Sequence, residues 1–188
     1  MARIEIETFS SKEAEHIAGL STTLQHEHRR RGHLAKEPGH AKHDLFRILQ
    51  FTCVADLAKF GIGPAAAYAS AEWVAHSALS YALEIEGVVN GSLAAECTVP
   101  EASDEEVRAY TARRVVAEAF RRPRIRPNRF ALFWGDGSDI FAPSVEIAMD
   151  QIAVDDPRFG APFIAIDAKA LASRIAARLP RAACKVTI

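Results

Sequence analysis

The chain has 188 residues, a net charge of −1, 49% hydrophobic and 25% charged side chains, a composition normal for a soluble globular protein of one ordinary domain or two small ones. Its three cysteines, Cys53, Cys97 and Cys184, are far apart and odd in number, without CxxC spacing; they exclude a thiolate framework and read as small apolar groups in a reducing cytoplasm. Charge is unevenly placed, with one Lys against nine acids in residues 48–107 and eight Arg against Glu118 alone in residues 108–131, the kind of block that persists where a face meets a polyanion.

Met1–Glu7 alternates Ile4 and Ile6 with Arg3, Glu5 and Glu7, which is no signal peptide, and predicts at most a short strand over Ile4–Thr8. Two short helices follow. Ser10 and Glu13 form a capping box before the stripe Ala14, Ile17, Ala18. Gly19 can take the left-handed conformation that stops a helix, and Ser21 can cap the next. That second helix carries Thr22, Thr23, Gln25, His26, Arg29, Arg30 and Arg31, with Leu24 as its main apolar anchor. A helix so poor in apolar residues gains little from packing, so its polar face is expected to meet an external partner. Gln and Arg are side chains that read base edges in the major groove.

Further on, Asp44 caps a helix predicted to run to Phe60, Gly61-Ile62-Gly63 ends it, and Pro64 occupies the first position of the next. This helix, from Pro64 to about Glu86, is apolar nearly all round, although Glu72, His76 and Glu84 interrupt it, so burial explains it better than a membrane span. Its length, about 30 Å for twenty residues, exceeds what a small domain covers, and a partner subunit packed near Trp73 and Leu79 is the expected cover. Gly87–Ala102 reads as a linker. Ser103-Asp104-Glu105-Glu106 starts an acidic-ended helix that runs to about Arg122. Past Pro127 the period changes: a strand over Phe130–Trp134, a turn at Gly135-Asp136-Gly137-Ser138, a return strand over Asp139–Met149 kinked at Pro143, a strand at Phe163–Ile166 and an Ala-rich helix over Ala168–Leu179.

The stretch from about Phe9 to Ala67 resembles the DNA-binding region of the MerR-like winged-helix regulators, in pattern more than in identity. In that family a helix-turn-helix is followed by Gly and an apolar residue, a basic wing, and a helix pair broken by Gly. The corresponding parts here are Ser10–Arg31, Gly32-His33-Leu34, the loop Ala35–His43 and the helices on either side of Gly61-Ile62-Gly63. Glu15 stands where a small residue is usual, Gln25 where an apolar one is, and His28 where an aromatic is common. The resemblance implies a mainly α fold: a winged helix-turn-helix domain in residues 1–63, a helical dimerisation and linker region in 64–127, and a small α+β unit in 128–188.

Other chemistry has weaker support. His26, His28, His33, His40 and His43 crowd one stretch, yet no Cys joins them, and His26 and His28 point to different helix faces. Asp136, Asp139 and Asp150 could ligate a hard cation, but Gly-Asp-Gly-Ser is an ordinary hairpin turn. No nucleophile elbow or phosphate loop occurs, so neither an enzyme nor a cofactor is expected. The prolines at 123 and 127 extend the Arg block between Arg113 and Arg129 past its helix, a shape suited to phosphates or a minor groove, while Arg near a helix C-terminus needs no partner at all.

The expectation is a cytoplasmic, sequence-specific regulator, a homodimer binding double-stranded DNA through Thr22, Thr23, Gln25, His26, Arg29, Arg30, Arg31, Lys36 and Lys42. No membrane is involved, and the C-terminal unit is left for a protein partner or effector. The rival is an adaptor or antitoxin-like protein whose basic helix grips an acidic protein.

Overall fold

A computed structural model describes residues 2–33, 42–122 and 126–187. Strands β1 (Arg3–Ile6) and β2 (Phe9–Ser10) lead into helices α1 (Ser11–Ala18) and α2 (Thr22–Arg30). Next come β3 (Lys42–His43), α3 (Leu45–Lys59), α4 (Pro64–Leu83), β4 (Val89–Asn90) and α5 (Asp104–Glu118). The chain closes with β5 (Phe130–Trp134), β6 (Asp139–Ala142), α6 (Val145–Asp150), β7 (Phe163–Asp167), α7 (Ala168–Ala176) and β8 (Cys184–Thr187).

Local signals set most helix boundaries. Asp44 accepts from the Arg47 N–H at the start of α3, Pro64 sits at the head of α4, and Ser103 with Glu106 closes a capping box on α5. Strand β6 ends at Ala142, short of the expected return strand through Met149. Pro143 has no N–H to give a ladder, and Ser144 accepts from the Ile147 N–H, so the residues after it form α6.

The centre is the α3–α4 hairpin, with α1 against α3 and with α5 and α7 against α4. These contacts supply from the same chain the cover that α4 needs. Leu79, expected near a subunit interface, is 0% exposed inside the core, whereas Trp73 is 55% exposed. One apolar cluster runs from Phe9 through Leu49, Leu79, Val115 and Ile175 to Val186, so packing crosses both expected domain boundaries, 63/64 and 127/128.

Among the described residues, three small sheets complete the fold. β5 lies between β6 and β7, both antiparallel to it, and the strand period gives it two apolar faces. Ala131 and Phe133 join the main cluster, while Leu132 and Trp134 join a second one with Ala142, Ala148 and Ile152. β8 is the middle strand of another sheet, antiparallel to β1 and parallel to β4. The expected linker therefore contains a strand, and the two ends of the chain meet in one sheet. At Gly91 (φ 97°) a Cβ would stand 2.2 Å from the Val186 carbonyl oxygen, so only glycine fits this approach. The chain is thus α+β with 49% helix, not mainly α; the alternation of Ile4 and Ile6 marks β1 in the sequence, whereas four-residue β8 carries too little local pattern to be read there.

Candidate nucleic-acid interface

The helix pair α1–α2 is built by caps. The Ser10 hydroxyl accepts from the Glu13 N–H at 3.3 Å, and the Glu13 carboxylate accepts from the Ser10 N–H at 2.7 Å. Gly19, at φ 78°, donates its N–H to the Glu15 carbonyl and ends α1. Ser21 accepts from the Leu24 N–H, and the Glu15 carboxylate takes the orphan Thr22 N–H at 3.1 Å. Glu15 therefore helps to cap α2.

The inner face of α2 is polar and hydrogen-bonded. Gln25, expected to face bases, is 0% exposed: its amide donates to the Leu20 carbonyl at 2.9 Å and to the Ser11 carbonyl at 3.3 Å, stapling α2 to the turn and to α1. This inward position removes it from any reading face. One turn on, His28 Nδ1 lies 3.0 Å from the Tyr68 hydroxyl of α4, and His33 stacks on the Tyr68 ring. Burial lowers the pKa of His28 and raises that of Tyr68.

Arg29 links α2 to β3, its guanidinium donating to His43 Nε2 at 3.1 Å, with Ser11 Oγ 3.3 Å from the same nitrogen. An arginine can only donate, so Nε2 is the acceptor and the ring proton sits on Nδ1. Burial, then the charges of Arg29 and Arg47, push the His43 pKa down to about 4.

On the outer face, Thr23, His26, Arg30 and Arg31 are exposed, Thr22 is half-buried, and Leu24 is 46% exposed. Arg30 grips Glu27 with two bonds, at 2.8 and 2.6 Å, and Arg31 adds a third at 2.6 Å. These contacts hold the Glu27 pKa down at about 2. Two of the three arginines thus lie along their own helix. Lys42 is exposed on β3, opposite Ser10. Lys36 and most of the expected wing, residues 34–41, lie outside the described residues.

Much of the C-terminal Arg block is paired internally. Arg122 meets Glu72 at 2.6 Å and lies 4.0 Å above the Phe46 ring; Arg129 meets Asp167 at 2.9 Å; Arg114 bridges Glu96 and Glu118. Arg124 lies outside the described residues. Among those residues no group of His, Cys, Asp or Glu is arranged to hold a metal ion. His40 is not among them, Asp136 caps its own turn at Ser138, and Asp139 bonds Ser70. No described helix is long and apolar enough to cross a membrane.

Two residues that local patterns do not single out hold the helix pair in place. Arg178 donates to the Ile17 carbonyl at the end of α1, at 3.3 Å. Arg181 bonds Glu13 at 2.6 Å and the Thr8 carbonyl at 2.9 Å, lying 4.6 Å from the centre of the Phe9 ring. A basic residue 168 positions from its partner leaves no spacing signal. No protein-family model, curated protein or solved structure matches the chain significantly.

Proposed function

We propose that the protein is a cytoplasmic, sequence-specific DNA-binding regulator that places α2 in the major groove as the second helix of a winged helix-turn-helix. The observation that carries this reading is the division of α2 into a locked inner face, Gln25 and His28, and an outer face of short polar and basic side chains. A helix held so firmly along one side presents the other at fixed orientation, which base readout requires. Thr22, Thr23, His26 and Arg30 are the readers, and Arg29, Arg31 and Lys42 meet phosphates. Arg30 exchanges Glu27 for a guanine edge on binding. The homodimer stays part of the proposal through exposed Trp73, not through Leu79.

Selection from random duplexes tests this. An enriched site should lose roughly 1–3 kcal/mol with Arg30→Ala and little with Gln25→Leu, whereas Lys42→Ala should weaken preferred and random duplexes alike. Affinity should fall with salt at a slope of roughly −0.9 per phosphate neutralised. No enrichment together with salt-independent binding would reject the reading in favour of an acidic protein partner.

A further inference from the structure

The Gly19-Leu20 turn, one edge of α2 and the C-terminal half of α3 surround a cleft of 430 Å³, to which Arg174 of α7 and Arg178, just past the end of that helix, contribute. Its size falls in the range of small-molecule sites, roughly 300–1,000 Å³. Leu20, Leu24, Val54, Ala58 and Pro64 supply apolar wall. Leu24, an apolar side chain left half-exposed in the middle of a polar helix, is part of that wall.

Charge gives the cleft a sign. Among the described residues, Arg31, Lys59, Arg174 and Arg178 line it against Glu27 and Asp56 alone. Both acids are satisfied twice over, Glu27 by Arg30 and Arg31, and Asp56 by Lys59 and Arg174. Arg178 differs from the other three cations: among the described residues its bond is to a neutral carbonyl, that of Ile17, and no carboxylate lies within ion-pair distance. A guanidinium beside apolar wall, with donors left over, matches a ligand that carries one carboxylate on an apolar body.

We propose that this cleft binds a small amphiphilic carboxylate, with its body against Leu24 and Ala58 and its carboxylate on Arg178. The site touches α2 and α7 together, so occupancy acts on the seating of α2. If α2 reads DNA, a clause that rests on the reading above, ligand and DNA must change each other's affinity by one common factor.

Calorimetric titration of the full chain with octanoate and with octanamide tests the site without DNA. Octanoate should saturate one site, and octanamide should bind about tenfold more weakly for want of the charge-assisted contact. Arg178→Gln should bring octanoate down to the amide's level, and Ala58→Trp, at an exposed wall position, should block both. Because Arg178 also caps α1, Ala58→Trp decides the matter if Arg178→Gln melts early. No saturable octanoate binding, equal binding of the two compounds, or octanoate binding unchanged by Ala58→Trp overturns the proposal. A duplex titration at saturating octanoate reads the coupling. A shifted DNA affinity supports it, an unchanged one overturns it, and absence of any DNA binding counts against the DNA reading while leaving the cleft result standing.

Discussion

The α1–α2 pair and the α7–β8 segment touch each other and are specified in opposite ways. Every boundary of α1–α2 is local: a capping box, a left-handed Gly19, a Ser21 cap. By contrast, β8 gains its place only by lying between β1 and β4, and Leu171, Ala172 and Ile175 of α7 are buried in the main core. The lesson is that a helix pair can have its shape fixed within twenty-odd residues while its position depends on the far end of the chain. Arg178 on Ile17 and Arg181 on Glu13 are the physical link.

The largest effect should come from separating the two regions. A chain ending after Arg122 loses the middle strand β8 of one sheet and α7, one of the helices that cover α4, so it should show no cooperative thermal transition. A sharp melt at the full-length temperature would instead make the helix pair an independent domain. Gln25 sharpens the comparison from the other side. Gln25→Ala strands the carbonyls of Leu20 and Ser11 and opens a cavity, and should cost roughly 1–3 kcal/mol in chemical denaturation. Gln25→Leu fills the space and should recover part of that loss. Equal losses would mean that the hydrogen bonds contribute nothing beyond volume.

A smaller effect is expected from pH at the seam between α2 and β3. His43 is held neutral, with its folded pKa near 4 against an ordinary 6.5. The unfolded chain therefore binds more protons between those values, and stability falls as pH drops from 6.5 towards 4. His28, lowered by burial, adds to the same slope. Glu13, held near 2 chiefly by Arg181, loses its contribution only as pH falls from its ordinary 4.5 towards 2. Melting temperature followed from pH 7 to 4.5 should thus decline less steeply in His43→Gln; an unchanged slope would place the proton uptake elsewhere. The smallest effect should be Arg181→Gln, whose exposed contacts are screened by solvent. Its melting point should move by a few degrees at most and converge with the parent in high salt.

Much of the molecule was legible in the sequence because its signals are local. Ser10, Gly19, Ser21, Asp44, Pro64 and Ser103 mark helix ends by hydrogen bonds or backbone preference within a turn or so, and β5 and the hairpin turn follow from period and Gly-Asp-Gly-Ser. The sequence marked α2 as a helix, but not which way Gln25 faces. A polar Gln25 on a polar helix reads as outward until the Leu20 and Ser11 carbonyls are seen to need a donor there. The all-round apolarity of α4 said that it is covered, and could not say by what; α3, α5 and α7 of the same chain answered that. Pairing of β1 with β8, the approach of Gly91 to Val186 and the reach of Arg181 to Glu13 join residues roughly a hundred or more positions apart. Contacts of that kind depend on where the packed core brings the backbone, so only the tertiary structure could decide them.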